Sequence, residues 1–490
     1  MSSLSPLADA FAAVLRDRSG DTLLLAPSES RTLTAAHIDE HARRVASALA
    51  AQHLTRGHLV IACIGNTWAM PSVLLACLRE GLPLMPVDKS TPPAQLRALA
   101  SRWDAAAVLV PDAVDLRAPD DGADGVTLRR DVPVAEGVAA WRPHVMPTPG
   151  RHAPAAVLKL TSGSTGEPRV TCSEERHLIA DVQQIADAMD IGPRTRQLGV
   201  IPLSHSYGFS NLLLPLLWQG SPLLLRQQFV PTQVGPDIID GALATLAGVP
   251  FMFEHLARHQ ALPPLPSLRL VLSAGARLPF ETVTAFHTVT GLKVRSFYGS
   301  SETGGICFDA NDALDPRVPV GQAMGDTHVE LVADPDAPEG SGRVRVSGPA
   351  VIDRYAGDTD DRVDGAYLTG DYARMDADGT VVLTGRLPSF VNVAGRKVQP
   401  QEVEAAIRAL PGVRDAVAVG IDDSVRGQAL AACVESDHPW DARTLREALA
   451  PHLAPHKLPR VVIAVQQLPL TDRGKIDRAA VIGALSKTNA

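Results

Sequence analysis

Small and hydroxyl-bearing residues are concentrated in one short segment, residues 161–166, and a cation follows at Arg169. Glycine lets a backbone adopt positive φ and approach a ligand closely, and successive amide N–H groups in such a turn can converge on an anion. Polyphosphate binding is one hypothesis, and a flexible surface loop is the other. The segment is not a Walker-type loop, because Glu167-Pro168 stands where that loop requires Lys followed by Ser or Thr. Its residues are Thr161, Ser162, Gly163, Ser164, Thr165 and Gly166.

Three further polar clusters each follow a predicted strand. The first, residues 202–209, contains His205, and the second, residues 273–276, contains Ala274 and Gly275. Each cluster alone is weak evidence for a functional site; an isolated histidine such as His205, for example, is more often a capping or packing residue. Open α/β sheets bind ligands at the carboxyl ends of their strands, so successive strands that end in small and polar residues predict one shared cleft. The third cluster, residues 296–305, includes Tyr298, Gly299, Ser300, Ser301 and Glu302.

Hydrophobic periodicity places these clusters in an α/β fold. Helical spacing at residues 34–51, 68–81 and 92–102 alternates with apolar runs at 58–64, 82–87 and 105–110. This alternation predicts a parallel sheet covered on both faces. The pattern resumes after residue 156, with strands at 157–160, 197–201, 221–225, 269–273 and 293–297 and helices at 174–189, 207–219, 250–258 and 279–290.

Two other regions differ from this pattern. Residues 112–151 are rich in Asp, Pro and Gly and are predicted to form a long surface excursion. Beyond residue 316, short strands separated by Gly, Asp and Pro predict a β-rich subdomain. The tail from residue 390 reads as a compact small domain, with helices at 400–409 and 443–453 and strands at 415–421 and 460–465.

Composition excludes several classes of protein. A chain of 490 residues with 45% hydrophobic and 20% charged residues is typical of a soluble protein with more than one core. The net charge of −8 and an aromatic content of 4% argue against nucleic-acid binding. No run reaches the roughly 18 apolar residues of a membrane span, and residues 1–20 lack a signal-peptide pattern. Scattered cysteines without a Cys-x-x-Cys pair predict free thiols in a reducing cytoplasm.

Five motifs in order resemble those of the adenylate-forming superfamily, which includes acyl- and aryl-CoA synthetases, adenylation domains of peptide synthetases, and luciferases. The segment from Thr161 to Arg169 resembles that family's phosphate loop, and residues 298–302 resemble its Tyr-Gly-x-Thr-Glu motif. The remaining matches are Thr-Gly-Asp at 369–371, the hinge region at 385–404, and Gly-Lys-x-x-Arg at 474–478. The resemblance implies a large N-terminal domain of parallel-sheet α/β subdomains plus a β-rich subdomain, residues 1–386, and a small mobile α+β C-terminal domain, residues 387–490.

The resemblance also implies a reaction. A carboxylate oxygen would attack the α-phosphorus of ATP, release pyrophosphate and leave an acyl-adenylate, and two anions that meet in this way require cations, oriented donors and Mg²⁺. Residues 161–166 and Arg169 would hold the leaving phosphates. Ser301 would hydrogen-bond the α-phosphate, and Glu302 would help to hold Mg²⁺, which prefers carboxylate and phosphate oxygens.

Other residues take their implied roles from the same resemblance. Tyr298 would lie against adenine, beside Gly299 and Ser300 and close to Ala274 and Gly275. Asp371 would accept hydrogen bonds from the ribose hydroxyls, and Arg386 would add a contact on the ribose side. Lys475 would place its ammonium between the acid and the α-phosphate, with His205 as a further catalytic candidate. Without the other motifs, Asp371 and Lys475 would read as a turn residue and a solvated loop residue.

The family uses one site for two half-reactions by rotating its small domain after residue 386. Gly395 would then line a tunnel for a pantetheine thiol. Three positions depart from the family pattern: Pro388 stands at the hinge, Arg169 replaces a lysine, and Ser301 replaces a threonine. Because proline locks φ, rotation would use other torsions.

Amino-acid adenylation domains of this superfamily place an Asp beside their second motif to bind the substrate ammonium. The corresponding residues 205–210 contain no carboxylate that could pair with a buried ammonium, so the resemblance implies an acid without an α-amine. Phe209 and residues 212–214, with glycines opposite, suggest a hydrophobic pocket for an aryl or fatty chain. The leading hypothesis is therefore a ligase that joins a hydrophobic acid to CoA. The alternatives are a stand-alone enzyme that loads a carrier-protein phosphopantetheine and, more remotely, a non-catalytic nucleotide-binding protein.

Overall fold

A computed structural model of the chain describes residues 5–117, 127–131, 133–161, 169–259, 262–335, 337–357, 363, 365–386, 391–393, 396–398, 400–423, 427–453, 455–471 and 476–489. A π-helix, Phe209–Leu213, joins two of its helices. The helices are α1 (Pro6–Arg18), α2 (Ala35–Ala51), α3 (Met70–Glu80), α4 (Pro93–Arg102), α5 (Glu175–Ala188), α6 (Ser206–Gly208), α7 (Leu214–Gln219), α8 (Pro231–Gly241), α9 (Pro250–His259), α10 (Phe280–Thr290), α11 (Pro400–Arg408), α12 (Ala442–Leu449) and α13 (Arg478–Asn489).

The strands are short and mostly buried. They are β1 (Thr22–Ala26), β2 (Arg31–Thr34), β3 (Leu59–Ala62), β4 (Leu84–Pro86), β5 (Ala105–Pro111), β6 (Leu128–Arg130), β7 (Val138–Pro143), β8 (Val157–Thr161), β9 (Arg169–Ser173), β10 (Gln197–Gly199), β11 (Leu223–Leu225), β12 (Thr245–Gly248), β13 (Leu270–Ser273), β14 (Val294–Ser300), β15 (Gly304–Phe308), β16 (Gln322–Ala323), β17 (His328–Val332), β18 (Gly342–Ser347), β19 (Tyr355–Ala356), β20 (Ala366–Met375), β21 (Val381–Arg386), β22 (Val391–Val393), β23 (Arg396–Val398), β24 (Val413–Asp423), β25 (Gly427–Ser436) and β26 (Val461–Val465).

Within the described ranges the chain divides into two compact units. The first contains residues 1–330, 345–368 and 375–382, and the second contains residues 331–344, 369–374 and 383–490. The boundary at residues 386 and 387 drawn from the resemblance stays a prediction.

Two sheets form the framework of the first unit. One has the strand order β16-β15-β14-β13-β12-β10-β11-β1-β2, and the other has the order β19-β9-β8-β4-β3-β5-β7-β6. Their central strands pair in parallel, as predicted, and antiparallel strands extend their edges. The predicted excursion at residues 112–151 is partly wrong, since β6 and β7 in that region pair antiparallel and extend the second sheet.

Strand alternation explains how both faces of these sheets are covered. On β3, Val60 and Ala62 join the largest core with helices α2, α3, α5 and α7, whereas Leu59 and Ile61 face α4 in a second core. A third core packs α8, α9 and α10 against the other face of the first sheet. Each strand therefore carries apolar residues on both faces, which is the pattern of a buried parallel sheet.

Local signals set the helix boundaries. Thr34 and His37 form a reciprocal capping box at the start of α2, which satisfies amide groups that the first turn leaves free. Gly81 ends α3 with a φ of +63°, a conformation that glycine adopts at low cost.

The small unit has its own sheet, ordered β23-β22-β25-β24 with β26 beside β25. Helices α11 and α12 pack on one face and α13 on the other. A further sheet has the order β17-β18-β20-β21, in agreement with the predicted β-rich region. The structure thus confirms the predicted α/β fold class.

Candidate active site

The carboxyl end of β14 carries the third polar cluster. A β-bulge separates Tyr298 from Gly299 where β14 pairs with β15. A Cβ atom on Gly299 would lie 2.6 Å from the carbonyl oxygen of Gly304, so only glycine fits this close approach. The bulge re-aims the strand at the point where Tyr298 is partly exposed.

The turn that follows holds Glu302 by its backbone. The amide of Glu302 donates to Ser300 Oγ at 3.2 Å, and that hydroxyl also lies 3.0 Å from Thr303 Oγ1. The Glu302 residue is only 9% exposed, and its Oε1 accepts a hydrogen bond from the Tyr355 hydroxyl at 3.2 Å. The carboxylate is therefore buried and oriented.

Tyr355 belongs to β19, and no motif in the sequence marks it. Burial raises the pKa of its phenol, and the negative charge of Glu302 and a hydrogen bond with Tyr367 raise that pKa further. The phenol therefore stays protonated at ordinary pH and can donate to the Glu302 carboxylate.

The first polar cluster lies beside this turn. Ser206 Oγ and Ser301 Oγ are 2.7 Å apart, which joins the start of α6 to the end of β14. His205 Nε2 lies 3.4 Å from Asp88 Oδ2, and the histidine side chain is 45% exposed. Gly208 is required here, because a Cβ atom would lie 2.2 Å from the carbonyl oxygen of Pro202.

The predicted helix over residues 207–219 contains a π-helix, which often marks a functional site. Its apolar residues do not form the predicted open pocket. Phe209 and the leucines at 212–214 are fully buried in the largest core. The glycines thought to lie opposite have other neighbours: a Cβ on Gly304 would meet Asp181, and one on Gly305 would meet Met324.

The second polar cluster ends β13. Gly275 has a φ of +81° and is exposed, whereas Ala274 is buried. The Tyr207 hydroxyl donates to the Leu272 carbonyl at 3.1 Å, and its ring lies 5.6 Å from that of Phe297. Tyr207 therefore joins the first cluster to the strands that carry the other two.

The carboxyl ends of β10, β13 and β14 come together as predicted, with one addition. Strand β12, which the sequence pattern did not indicate, lies between β10 and β13. It is a four-residue, fully buried strand that follows a proline-containing helix, so it lacked a recognisable periodicity.

The glycine-rich segment begins and ends on paired strands. Thr161 of β8 lies opposite Arg169 of β9, and its Oγ1 donates to the Arg169 carbonyl at 3.2 Å. The predicted phosphate-binding residues Ser162, Gly163, Ser164, Thr165 and Gly166 lie outside the described residues. Arg169 places its guanidinium carbon 3.5 Å from the ring centroid of Tyr355, a cation–π contact.

A buried cation, Lys159, also lies near this site, although its strand looked simply apolar in sequence. Its ammonium is 5.0 Å from the ring centroid of Phe209. Burial lowers its pKa, while the nearby carboxylates of Asp181 and Glu302 oppose that effect. Asp181 in turn accepts from the amide of Gly305 at 2.8 Å.

Two predicted site residues belong to the second unit. The amide of Asp371 donates to Thr369 Oγ1 at 3.0 Å, and the Asp371 carboxylate lies 3.4 Å from Arg386 Nε. The Asp371 side chain is 13% exposed and that of Arg386 is 71% exposed. Gly395, Lys475 and Pro388 lie outside the described residues.

The residues present fit a magnesium ion held with nucleotide phosphates. Among the residues that the structure describes, no group of three His, Cys, Asp or Glu side chains could hold a metal. Mg²⁺ is commonly bound by one or two carboxylates together with substrate phosphates and water. The oriented, buried carboxylate of Glu302 is a donor of that kind.

Two other predictions can be compared with the structure. All five cysteines are buried free thiols, as expected, and burial raises the pKa of Cys77 and Cys307 to about 12. In the described part of the chain, every helix is too short or too polar to cross a bilayer.

Comparison with known proteins places the chain in a family. Residues 11–356 match the AMP-binding enzyme family, and residues 402–475 match the AMP-binding enzyme C-terminal domain. A sulfoacetate–CoA ligase from Cupriavidus necator is 28% identical over 481 residues, which cover 94% of this chain and 94% of the relative. A 4-chlorobenzoate–CoA ligase from Arthrobacter sp is 27% identical over 480 residues, which cover 94% of this chain and 91% of the relative.

A solved structure shows the same fold. ATP-bound MatB from Rhodopseudomonas palustris superposes with a TM-score of 0.80 at 22% identity, over 98% of this chain and 99% of that chain. The family match to the large N-terminal region alone spans well over half of the sequence. The chain therefore belongs to the AMP-binding enzyme family, within the adenylate-forming superfamily.

Proposed function

We propose that the protein is an AMP-forming acid–thiol ligase. A carboxylate oxygen attacks the α-phosphorus of ATP, the bond to the β-phosphate oxygen breaks, and pyrophosphate leaves. The thiol of CoA then attacks the acyl carbon, AMP leaves, and a thioester forms. The observation that carries this proposal is the turn after β14, where a buried, oriented Glu302 stands beside the Ser206–Ser301 hydroxyl pair in a chain of this family.

The residues of the first unit act on the phosphates and the adenine. The glycine-rich segment 161–166 would hold the β- and γ-phosphates. Ser301 would donate to the α-phosphate, and Glu302 would hold Mg²⁺. When bound, the ion neutralises charge that develops on the phosphate oxygens. Tyr298 lies against adenine, beside the small residues Gly299, Ala274 and Gly275.

Four further residues, assigned through the family motifs, act on the ribose and on the reacting groups. Asp371 accepts from the ribose hydroxyls, and the Arg386 guanidinium lies next to its carboxylate. Lys475 stabilises the charge that builds between the acid and the α-phosphate. Gly395 leaves room for the pantetheine arm during thioester formation.

His205 is proposed to act on the acid. Its ring is exposed and lies next to the Asp88 carboxylate, a partner that favours one tautomer with a proton on Nε2. In that tautomer Nδ1 is a hydrogen-bond acceptor. We assign His205 to positioning the acid.

The acid is proposed to lack an α-amine, because residues 205–210 contain no carboxylate that could balance an ammonium. A hydrophobic acid is proposed from the family resemblance, without support from Phe209 and the leucines at 212–214. Relatives of similar identity carry the names of ligases for sulfoacetate and for 4-chlorobenzoate, so the choice between polar and apolar acids needs a direct test.

Product analysis tests the proposal. Protein, ATP and Mg²⁺ are incubated with aryl, fatty and short polar acids, and AMP and acyl-CoA are quantified by mass spectrometry with CoA or a holo carrier protein as acceptor. The proposal predicts equal amounts of AMP and acyl-CoA with an apolar acid. Product on the carrier protein alone would favour the carrier-loading alternative, and no acid-dependent AMP with any acid would contradict the proposal.

A further inference from the structure

We propose that Tyr355 is a positioning residue that fixes the orientation of the Glu302 carboxylate for Mg²⁺, with Arg169 holding the tyrosine ring in place. This inference rests on the proposed function, in which Glu302 holds the ion. Neither Tyr355 nor the stacking role of Arg169 belongs to the motifs through which the chain resembles its family.

The backbone places the segment that leads into β19 beside the Glu302 turn. Strand β19 pairs antiparallel with β9, and Tyr355 lies opposite Thr171. Three residues before Tyr355, the amide of Ile352 donates to the Glu302 carbonyl at 2.9 Å. The Ile352 amide therefore ties the segment before β19 to the Glu302 turn, while pairing with β9 fixes Tyr355 itself. The phenol–carboxylate bond of 3.2 Å is the direct contact between Tyr355 and Glu302.

Side-chain contacts hold the phenol in one orientation. The guanidinium of Arg169 stacks 3.5 Å from the ring centroid, and Tyr355 is only 5% exposed. Arg169 opens β9, so this stack joins the first residue of that strand to the tyrosine that contacts the proposed metal carboxylate. Arg169 thus acts on Tyr355 and is not simply a charge beside the phosphates.

The chemical consequence concerns the second carboxylate oxygen. The phenol occupies Oε1 of Glu302, so rotation of the carboxylate would break a hydrogen bond in a buried site. Oε2 is then the oxygen presented to a cation. Partners of metal-binding carboxylates have this effect generally, and their loss costs about tenfold or more in metal affinity.

Tyr355→Phe tests the inference because it removes only the hydroxyl. ATP binding is measured by calorimetry without acid or CoA, once with MgCl₂ and once with EDTA. We expect the gain in ATP affinity that Mg²⁺ provides to fall by about tenfold, with ATP affinity in EDTA unchanged. Thr171→Val is the matched control, because it removes a buried hydroxyl that bonds the Lys159 carbonyl on the paired strand without touching Glu302.

Glu302→Gln and the double variant separate the inference from the proposed function. If Glu302→Gln keeps the full Mg²⁺-dependent gain in ATP affinity, Glu302 does not hold the ion. The proposed metal site and the inference about Tyr355 are then both overturned. If Glu302→Gln loses the gain but Tyr355→Phe keeps it, only the inference is overturned. The inference is supported if Tyr355→Phe alone reduces the Mg²⁺-dependent gain in ATP affinity. It also requires that the double variant bind ATP no more weakly than Glu302→Gln alone in the presence of Mg²⁺.

Discussion

Gly304 directly follows the Glu302 turn, and its replacement by alanine gives a sharp test of how that turn is packed. Gly304 has a φ of +66°, and a Cβ atom there would lie 2.4 Å from Asp181 Oδ1 and 2.6 Å from Asp181 Cγ. Asp181 is 3% exposed and accepts from the Gly305 amide at 2.8 Å. Alanine therefore forces the carboxylate away from the amide that it holds.

The magnitude follows from two separate costs. A left-handed conformation costs a residue with a Cβ about 1–2 kcal/mol. Displacing a hydrogen bond to a buried carboxylate costs a further ~1.5–3 kcal/mol. The sum predicts that Gly304→Ala lowers the free energy of unfolding by about 2.5–5 kcal/mol.

Gly137→Ala is the matched control. Gly137 has a φ of +76°, but a Cβ atom there would have no neighbour within 4 Å, so only the backbone cost of about 1–2 kcal/mol applies. Guanidinium titrations followed by circular dichroism measure both variants against the native protein. Equal losses in the two variants would refute the claim that the Asp181 carboxylate packs against the Glu302 turn.

Three further predictions follow from named contacts. Asp371→Asn should raise the KM for ATP by about 10- to 150-fold, because a hydrogen bond to a charged group is worth ~1.5–3 kcal/mol, and steady-state kinetics that show an unchanged KM would contradict the ribose assignment. Burial lowers the pKa of His152 below its ordinary 6.5, so the unfolded chain takes up the proton first and stability is lost as pH falls below that value. His152→Gln should reduce this loss in denaturation curves between pH 7.5 and 5.5, whereas an unchanged pH slope would show that His152 contributes nothing. Pro388→Asp should speed thioester formation more than adenylation if proline hinders hinge rotation, and equal effects in single-turnover assays would argue against that.

Much of the framework could be predicted from sequence because its periodicity is strong. Helix α2 buries Ile38, Ala42, Val45 and Leu49 on one face, which is a plain helical pattern. Strands β3 and β5 are continuous apolar runs bounded by polar residues. The third polar cluster lies at the carboxyl end of β14, as the strand pattern predicted.

The remaining features depend on tertiary contacts that leave no local pattern. Lys159 lies in an otherwise apolar strand, and only the fold shows that Asp181 and Glu302 are near it. Tyr355 and Glu302 are 53 residues apart in sequence and meet through a side-chain hydrogen bond. The leucines at 212–214 were misread because a buried core and a substrate pocket have the same apolar composition.

Acid-dependent exchange of labelled pyrophosphate into ATP tests the central claim most directly, because it reports formation of an acyl-adenylate without any thiol acceptor. With the native protein and Mg²⁺, the account predicts exchange that requires an added apolar carboxylic acid. Lys475→Ala should nearly abolish this exchange while ATP binding, measured by calorimetry, persists. Absence of exchange with every aryl, fatty and polar acid tested would contradict the account, and full exchange in Lys475→Ala would contradict the role given to that lysine.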